Sequence, residues 1–485
     1  MTVHNRYELF DYQKTIGDDI TKPALFLDAG LGKSLTSLRR WDKLNDFSRI
    51  PGKLLVVGLT AKKEEWRQDI MDYWWSAKDQ DLKPEFKPYV STGKKGSEYI
   101  AKNNPRIVVV NFESVWRTPS LLKWVDKDTT IIVDESQKIK IFSSKATKML
   151  LALSDRVDKW HSLILTATPV SNRQWEHYYT QMKFIKEPHI VKMRKRDFET
   201  EFTIQAKIDF GSGFPVMQIV DYKHTDKLRR WVNGVSVFMK REAAYGAPQE
   251  ELKVFSKPSK SDAYSRMEHN HMLWEDEPAK PIQVYDQIGS YYMALRQAAT
   301  GTLGYVDNVK GAEVRKYTTI AQERLNHVSE LLEGIGNDRV VIFYTFNAEL
   351  VALKEILIKM DRPYSEFNGH TKDLSTFEQE YLGNNLAPNN TVALVNYKSG
   401  ATGINSLKLS KYAIFFSPPQ SSETLIQAKA RLDRIGQTSK PYFYLMYKAG
   451  TVEEATWKTV LSGEEFTAQS FRDYLLEKGL TYLDN

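Results

Sequence analysis

The sequence predicts an α/β fold of two lobes, each built on a parallel sheet, with largely helical insertions between them. Short apolar runs rich in β-branched residues recur in the first 170 residues and return after residue 340. Runs of this kind are typical of strands buried on both faces of a parallel sheet. Stretches with helical periodicity lie between them, and alternating strands and helices indicate a doubly wound layer.

The apolar runs define the predicted elements, and many of them are followed by polar or glycine-containing turns. The strands predicted for the first lobe include Ala24–Leu27, Leu54–Val57, Ile107–Val110, Thr130–Val133 and Leu163–Thr166. Helices predicted between them include Lys62–Tyr73 and Ser144–Leu153. The strands predicted for the second lobe include Val340–Tyr344, Val392–Val395 and Tyr412–Phe416.

The middle of the chain is more irregular and is rich in charged and aromatic residues. Helical patterns there include His224–Met239 and Asp286–Ala299. Gly246, Ala247 and Pro248 interrupt the pattern, so the lobe boundary is placed at this point. We therefore predict a first lobe over residues 1–245, with a helical insertion from about 175, and a second lobe over residues 246–485. The second lobe would contain a helical segment at about 260–300 and a short C-terminal tail.

Composition restricts the classes of function. Lysine and arginine number 68 against 61 aspartate and glutamate residues, and the net charge of +7 permits a polyanionic partner without requiring one. The chain has no cysteine, which excludes disulfides, thiolate catalysis and cysteine-ligated metal sites. The N-terminus has no apolar core of signal-peptide length, and no apolar run approaches the roughly 20 residues that cross a bilayer. We expect a cytoplasmic protein with no membrane partner.

A turn that contains Gly30 and Gly32, the glycine turn, follows the first predicted strand and opens a predicted helix. Its glycines would let backbone N–H groups approach phosphate oxygens at a helix N-terminus, which favours negative charge. Lys33 would reach the β- and γ-phosphates, and the Ser34 hydroxyl would ligate magnesium. The residues expected around the phosphates are Gly30, Leu31, Gly32, Lys33 and Ser34. Because Leu27 occupies the place of the usual first glycine, the alternative is an ordinary turn at a strand–helix junction.

Two adjacent carboxylates, Asp134 and Glu135, end an apolar strand 101 residues after Lys33. Asp134 suits the magnesium shell, and Glu135 suits the positioning of an attacking water. That spacing leaves room for several strand–helix units between the glycine turn and the pair. The alternative is a solvated strand end.

The turn Leu165–Pro169 ends another β-rich run. The hydroxyls of Thr166 and Thr168 could link the γ-phosphate side of the site to the rest of the lobe. The alternative is a turn that only ends the strand.

Arg431 and Arg434 lie three residues apart, so on a helix both guanidinium groups share one face. Their planar, permanently charged forks suit a γ-phosphate reached across a cleft. The alternative is a helix that carries ordinary surface salt bridges.

In this order, the segments resemble superfamily-two helicase-type ATPases and, within them, the Swi/Snf-related DNA translocases. The resemblance covers roughly residues 10 to 455. The Arg-Ile-Gly-Gln ending of the last segment is its most family-specific stretch. The matching segments are Phe10–Gln13, Leu25–Ser34, Leu55–Trp66, Val109–Ser114, Asp134–Gln137, Leu165–Asn172, Val341–Tyr344, Ser399–Asn405 and Gln427–Gln437.

The resemblance implies two tandem RecA-like lobes that bind ATP and Mg²⁺ in the cleft between them. Gln13 is expected to read the adenine base, and Gly403, Arg431 and Arg434 to complete the site from the second lobe. Gln137 replaces the family's usual histidine and is expected to couple the acidic pair to Thr166 and Thr168. The nucleic-acid contacts that the resemblance suggests are Lys62, Lys63, Trp66, Ser114 and Lys398. For each of these, the alternative is an ordinary surface or packing residue.

Departures from the family pattern indicate a distant, compact branch similar to bacterial or phage members. Ala401 stands where the family usually has glycine, and Pro419–Ser422 replaces a tryptophan-containing segment. The predicted function is an ATP-driven motor that moves on duplex or branched DNA, largely independently of sequence, with RNA as a further possible substrate. The alternatives are a strand-separating DNA or RNA helicase, and a nucleic-acid-binding scaffold without ATP turnover.

Overall fold

The chain divides into two compact units, residues 1–246 and 247–485, in a computed structural model. The described residues are 8–170, 174–208, 216–240, 250–256, 263–270, 272–275, 280–284, 288–309, 312–382, 387–400, 404–433, 437 and 440–480. The interruption that the sequence predicts at residues 246–248 lies outside these ranges.

The first unit is organised around a parallel sheet. Its strands are β1 (Ala24–Leu27), β2 (Leu54–Gly58), β3 (Tyr89–Val90), β4 (Ile107–Asn111), β5 (Thr130–Asp134), β6 (Ser162–Leu165), β7 (Thr203–Ile208), β8 (Val216–Tyr222) and β9 (Ser236–Met239). All except β7 and β8 form one seven-stranded sheet in the order β3-β4-β2-β5-β6-β1-β9. Every described pairing in this sheet is parallel. The alternation of buried strand and helix is therefore confirmed.

Helices connect these strands and cover both faces of the sheet. They are α1 (Asp11–Asp18), α2 (Lys33–Leu44), α3 (Lys63–Lys78), α4 (Lys94–Asn103), α5 (Phe112–Val115), α6 (Leu121–Trp124), α7 (Lys145–Ser154), α8 (Tyr178–Phe184), α9 (Lys195–Phe202) and α10 (Thr225–Val235). Successive strand residues point to opposite faces, so Leu55 and Val57 join one core layer while Leu54 and Val56 join the other. This two-sided burial is why the seven strands of this sheet carry no charged residue before their last position.

The second unit repeats the architecture. Its strands are β10 (Glu250–Ser256), β11 (Met272–Glu275), β12 (Lys280–Val284), β13 (Thr302–Val309), β14 (Ala312–Thr319), β15 (Val340–Tyr344), β16 (Tyr364–Phe367), β17 (Lys372–Asp373), β18 (Tyr381–Leu382), β19 (Ala387–Pro388), β20 (Val392–Asn396), β21 (Tyr412–Phe415) and β22 (Tyr442–Lys448). The sheet order is β10-β22-β21-β15-β20-β16-β17, and within it only the β16–β17 pairing is described as antiparallel.

The helices of the second unit fall into two groups. The helices are α11 (Ala263–Asn270), α12 (Ile288–Thr300), α13 (Glu323–Ile335), α14 (Asn347–Lys359), α15 (Ser375–Glu378), α16 (Tyr397–Gly400), α17 (Ser422–Leu432), α18 (Val452–Leu461) and α19 (Ala468–Glu477). Residues of α11, α12, α18 and α19 share an aromatic core cluster that includes Tyr264, Tyr291 and Phe471. Residues of α13, α14 and α17 join the cores on the two faces of the sheet, and α18 contributes to both groups, through Val452 in the aromatic cluster and through Trp457 and Val460 in the core of the sheet.

The middle of the chain contains more strand than the sequence predicts. The helix expected over His224–Met239 ends at Val235, and Ser236–Met239 forms β9, which pairs in parallel with β1. Helical periodicity buries Leu228 and Val232, but the apolar run that follows is short and extends the sheet at the free side of β1. Two further antiparallel hairpins, β7–β8 and β11–β12, lie in the segment predicted to be largely helical.

Among the described residues, no helix combines the length and the apolar character needed to span a bilayer.

Glu349 is a fully buried carboxyl at the start of α14. It accepts hydrogen bonds from the backbone N–H groups of Thr345 and Phe346, at 2.7 and 3.0 Å. Burial raises the pKa of this carboxyl from 4.5 to about 7, against the opposing effect of those hydrogen bonds. The folded protein therefore keeps the proton to a higher pH than the unfolded chain does.

We expect this carboxyl to reduce stability as the pH rises from 4.5 to 7, because the unfolded chain releases the proton first. In Glu349→Gln this dependence is absent, so the parent should lose up to about 3 kcal/mol relative to the variant over that range. Urea unfolding at several pH values measures the difference. Glu355→Gln, at an exposed position of the same helix, is the control and should leave the slope unchanged. If Glu349→Gln kept the parental dependence of stability on pH, the raised pKa could not be the cause of that dependence.

Candidate active site

The loops that carry the predicted site leave the sheet of the first unit at a single edge. Because β1, β2, β4, β5 and β6 are mutually parallel, their carboxyl ends lie on the same side. In open parallel sheets this is the edge at which ligands bind. The glycine turn follows β1, Lys62 follows β2, Ser114 follows β4, the acidic pair ends β5, and Thr166 follows β6.

The glycine turn has a backbone that only glycine adopts without strain. Gly30 has a φ of +86° and Gly32 a φ of +68°, and α2 begins directly after Gly32. The ammonium of Lys33 donates to the carbonyls of Leu27 at 2.9 Å and Asp28 at 3.2 Å. The twelve residues of α2 start at this turn with no acidic residue in their first turn, so the helix N-terminus favours an anion there.

Gln13 supports this turn from the side. Its side chain is fully buried, and its Nε2 donates to the carbonyl of Leu31 at 3.2 Å. Its Oε1 accepts from the backbone N–H of Phe10 at 3.0 Å, and the hydroxyl of Tyr12 also donates to Leu31 at 3.0 Å. The structure thus joins α1 to the glycine turn through Gln13, while the predicted contact with adenine stays a prediction.

The acidic pair is buried and held by several donors. Asp134 is 3% exposed and Glu135 is 8% exposed. Glu135 has a φ of +56° and a ψ of +54°, a left-handed conformation that costs a side-chain-bearing residue about 1 kcal/mol or more. Asp134 Oδ1 accepts from the N–H of Glu135 at 3.0 Å, and Gln137 Nε2 donates to Glu135 Oε2 at 3.0 Å. Within the turn after β5, the two carboxylates therefore accept hydrogen bonds from different donors.

Two residues predicted to touch nucleic acid, Lys62 and Trp66, contact the acidic pair in the structure. Trp66 is 2% exposed, and its indole N–H donates to Asp134 Oδ2 at 3.0 Å. Lys62 places its ammonium 3.0 Å from Glu135 Oε1 and 3.4 Å from Asp134 Oδ2. For Trp66, the structure favours the packing alternative, because a side chain buried to this extent cannot meet a phosphate backbone. A nucleic-acid contact by Lys62 stays a prediction, but its position in the structure is at the acidic pair.

The charges in this cluster shift the pKa values of its members. Burial by itself raises the pKa of the Glu135 carboxyl, but the charges of Lys62 and Lys33 and the hydrogen bond from Gln137 outweigh it and hold the pKa at about 2. Burial lowers the pKa of Lys33 to about 8, with the charge of Lys62 acting in the same direction and those of Glu135 and Asp134 opposing it. At neutral pH Glu135 is ionised and Lys33 is largely protonated.

The donor set fits a magnesium ion that shares its ligands with a nucleotide. Mg²⁺ prefers hard oxygen ligands and is usually bound through one or two carboxylates together with substrate phosphates. Ser34 and Asp134 supply a hydroxyl and a carboxylate of this kind at the same sheet edge. Within the described ranges, no group of three or more histidine, aspartate or glutamate side chains could hold a metal on its own.

The turn after β6 is fixed by its own hydrogen bonds. Thr166 is fully buried, and its backbone N–H donates to the carbonyl of Leu25 in β1 at 3.2 Å. Its hydroxyl accepts from the N–H of Thr168 at 2.9 Å. The turn therefore lies between the strand that carries the glycine turn and the strand that carries the acidic pair. A coupling role for Gln137, Thr166 and Thr168 stays a prediction.

The predicted residues of the second unit are described only in part. Arg431 is partly exposed in the last turn of α17. Gln437 Nε2 donates to the carbonyls of Lys408 and Ser410 at 2.9 and 2.8 Å. Gly403 and Arg434 lie outside the described residues.

The remaining nucleic-acid candidates lie nearer the surface. Lys63 and Ser114 are partly exposed, and Lys398 is exposed in α16. In the first unit, Asn111 Nδ2 donates to Glu113 Oε2 at 2.7 Å, and Thr60 Oγ1 donates to the same oxygen at 3.1 Å. These bonds join the segments that follow β2 and β4, on which Lys63 and Ser114 lie.

Comparison with protein-family models identifies the family. Residues 23–274, just over half of the chain, match the model of the SNF2-related domain. The chain belongs to the SNF2-related family. Residues 323–436 match the helicase conserved C-terminal domain, so the SNF2-related protein carries both parts that the motif order predicted. The predicted family is confirmed.

Among curated relatives of this SNF2-related chain, the Schizosaccharomyces pombe chromatin structure-remodeling complex subunit snf21 is 20% identical over 468 residues, which are 92% of this chain and 37% of that protein. The Aspergillus oryzae chromatin-remodeling ATPase INO80 is 25% identical over 198 residues, 38% of this chain and 13% of that protein. The chain thus spans well under half the length of these relatives. Both are fungal, so the predicted bacterial or phage origin draws no support from them and stays a prediction.

One solved structure is similar over nearly the whole chain. It is described as the Sulfolobus solfataricus SWI2/SNF2 ATPase core in complex with dsDNA. The similarity covers 98% of this chain and 94% of that one, at 17% identity and a TM-score of 0.42.

Removing the Lys62 ammonium tests the charge balance of the acidic pair. In Lys62→Met, the buried Glu135 and Asp134 carboxylates lose a cation, and we expect the free energy of unfolding of the first unit to fall by about 2 kcal/mol at pH 7. Urea unfolding monitored by tryptophan fluorescence measures the change. Lys63→Met removes a neighbouring charge and should change stability by less than about 0.5 kcal/mol. Equal stability of the two variants would show that the Lys62 ion pairs contribute nothing.

Proposed function

We propose that this protein is a DNA-stimulated ATPase that hydrolyses Mg²⁺-bound ATP and uses the energy to move along duplex or branched DNA. The observation that carries the proposal is the convergence of Lys33, Asp134 and Glu135 at the carboxyl edge of one parallel sheet. Membership of the SNF2-related family supports the same reaction. The relatives' descriptions as chromatin-remodelling proteins support duplex DNA as the track.

The chain's own residues have separate tasks in the proposed hydrolysis. The glycine turn and Lys33 bind the β- and γ-phosphates, and Ser34 and Asp134 hold Mg²⁺, which neutralises phosphate charge when bound. Water attacks the γ-phosphorus, the bond to the β,γ-bridging oxygen breaks with its electron pair staying on ADP, the proton of the water passes to the phosphate that forms, and ADP and phosphate leave. The charges of Lys62 and Lys33 lower the pKa of Glu135 and keep its carboxylate ionised. Glu135 can therefore orient and polarise the water by accepting a hydrogen bond from it.

Residues of the second unit are proposed to act on the same nucleotide. Arg431 and Arg434 would contact the γ-phosphate in a closed state, with Gly403 beside the nucleotide. A guanidinium supplied in this way contributes roughly 10³–10⁵ to the rate of related reactions. Because the contact would be lost with the γ-phosphate, hydrolysis would bias the two units between closed and open states. Repeated cycles would advance them along a phosphate backbone.

The proposed track is bound mainly through its phosphates. Lys63, Ser114 and Lys398 are the described, surface-accessible candidates, and contacts to phosphate carry little sequence information. The net charge of +7 agrees with a polyanionic partner. Binding should therefore be largely independent of sequence and should weaken as salt rises.

Glu135→Gln tests the proposed hydrolysis. The amide is nearly isosteric, so ATP should still bind, but turnover should fall by about 10²–10⁴-fold because the water is no longer oriented by an anion. Phosphate release under saturating ATP and duplex DNA, together with nucleotide affinity, gives both quantities. Glu64→Gln, at an exposed position of α3, is the control and should retain parental turnover. If Glu135→Gln hydrolysed ATP at the parental rate, Glu135 would have no role in the reaction.

The nature of the track is tested by comparing nucleic acids. We expect duplex and branched DNA to stimulate phosphate release more than single-stranded DNA or RNA, and the protein to displace a third strand from a triplex without separating a forked duplex. Separation of the fork would identify a strand-separating helicase instead. Nucleic-acid binding without any stimulated turnover would identify a scaffold.

A further inference from the structure

Gln181 is a fully buried amide whose hydrogen-bonding groups are directed at two functional loops. It lies in α8, and its Oε1 accepts from the hydroxyl of Ser136 at 2.7 Å. Its Nε2 donates to the carbonyl of Pro169 at 2.6 Å and to that of His177 at 3.0 Å. Leaving a buried amide without partners is costly, so these bonds fix the positions of what they join.

The two loops that Gln181 joins belong to the candidate active site. Ser136 follows Glu135 directly and is itself fully buried. Pro169 follows Thr168, whose N–H donates to Thr166 at 2.9 Å. A continuous path of hydrogen bonds and peptide units therefore runs from Glu135 through Gln181 to the turn after β6. Thr166 extends this path to Leu25 in β1, the strand that leads into the glycine turn.

The same helix also holds the insertion that follows it. The neighbouring Tyr179 donates from its hydroxyl to the carbonyl of Met193 at 3.0 Å, and its ring lies 5.2 Å from that of Phe198. In the turn that directly precedes α8, the Glu176 carboxylate accepts a hydrogen bond from the hydroxyl of Tyr222 in the β7–β8 hairpin. A displacement of α8 would thus be carried to the segment between α8 and the hairpin.

We propose that Gln181 is a positioning residue that transmits the nucleotide state of the acidic pair to the turn after β6 and to the insertion built on α8. The inference rests on the proposed function, since it concerns how ATP hydrolysis becomes movement. Ser136 would move with Glu135 when the nucleotide changes, and Gln181 would carry that shift to Pro169. Neither Ser136 nor Gln181 touches the reacting atoms in this role.

Hydrogen exchange of the Thr168 amide tests the first half of the proposal without any need for DNA or turnover. In the parent, the β,γ-imido analogue of ATP with Mg²⁺ should slow this exchange by at least about fivefold. Gln181→Met keeps the length of the side chain but removes its polar groups. This variant should bind the analogue within about twofold of the parent and lose the slowing. Retention of the slowing in Gln181→Met, or its absence in the parent, overturns the inference.

The second half of the proposal, transmission to the insertion built on α8, is tested by the amount of triplex displaced per ATP hydrolysed. Gln181→Met should retain DNA-stimulated turnover and the KM for ATP within about threefold, while triplex displacement per ATP falls at least about fivefold. Ser136→Ala removes only the other end of the bond and should act in the same direction. The double variant should be no worse than Gln181→Met, because both changes break one path. Parental displacement per ATP in both single variants overturns the inference.

Matched controls separate this role from a purely structural one. Thr180→Val alters the adjacent buried position, where Thr180 Oγ1 has no hydrogen-bond partner among the described residues. It should leave exchange and displacement per ATP unchanged, and losses equal to those of Gln181→Met would overturn the proposal. Should Gln181→Met fail to fold, the smaller change Ser136→Ala decides. A parent without DNA-stimulated turnover would instead refute the proposed function, and the exchange result would still stand by itself.

Discussion

The parallel pairing of β1, β2, β4, β5 and β6 is the constraint on which the candidate site depends. Parallel strands present all their carboxyl ends at one edge, so loops that are far apart in sequence must meet there. The glycine turn and the acidic pair are brought together at this edge. The two faces of the sheet that holds them are covered by apolar core layers. Helix α2 adds its N-terminus at the same edge, which favours the phosphate groups of a nucleotide.

A second constraint is the balance of charge at that edge. The Asp134 and Glu135 carboxylates are almost completely buried, and their charges would be unfavourable there without nearby cations. Lys62 pairs with both of them, and Lys33 adds a second positive charge that also lowers the pKa of Glu135. These cations keep the Glu135 carboxylate ionised, as the proposed orientation of the attacking water requires. The left-handed backbone at Glu135 indicates that the site tolerates local strain to aim this carboxylate.

Several contacts of the first unit join residues that are far apart in the sequence. Gln181 lies 45 residues after Ser136 in the chain, and no motif spacing links the two. Trp66 was assigned to nucleic acid because of its place in a resembling segment, yet its indole supports Asp134 from within the core. The sequence predicted β9 as the end of a helix. Its four residues pair with β1, more than two hundred positions earlier, and no local pattern shows that contact. Such partners are visible only once the sheet has been assembled.

The sequence by itself predicted the strands β1, β2, β4, β5, β6, β15, β20 and β21 and the family, and it singled out the candidate phosphate-binding and acidic residues, because each is written in a short local pattern. Uninterrupted apolar runs predict buried strands, and glycine, lysine and carboxylate residues at strand ends predict nucleotide chemistry. Only the tertiary structure decided that Lys62 neutralises the acidic pair and that Gln181 joins the turns after β5 and β6. These contacts depend on which strands become neighbours, and strand order is set by the packing of the whole lobe rather than by any local stretch of residues.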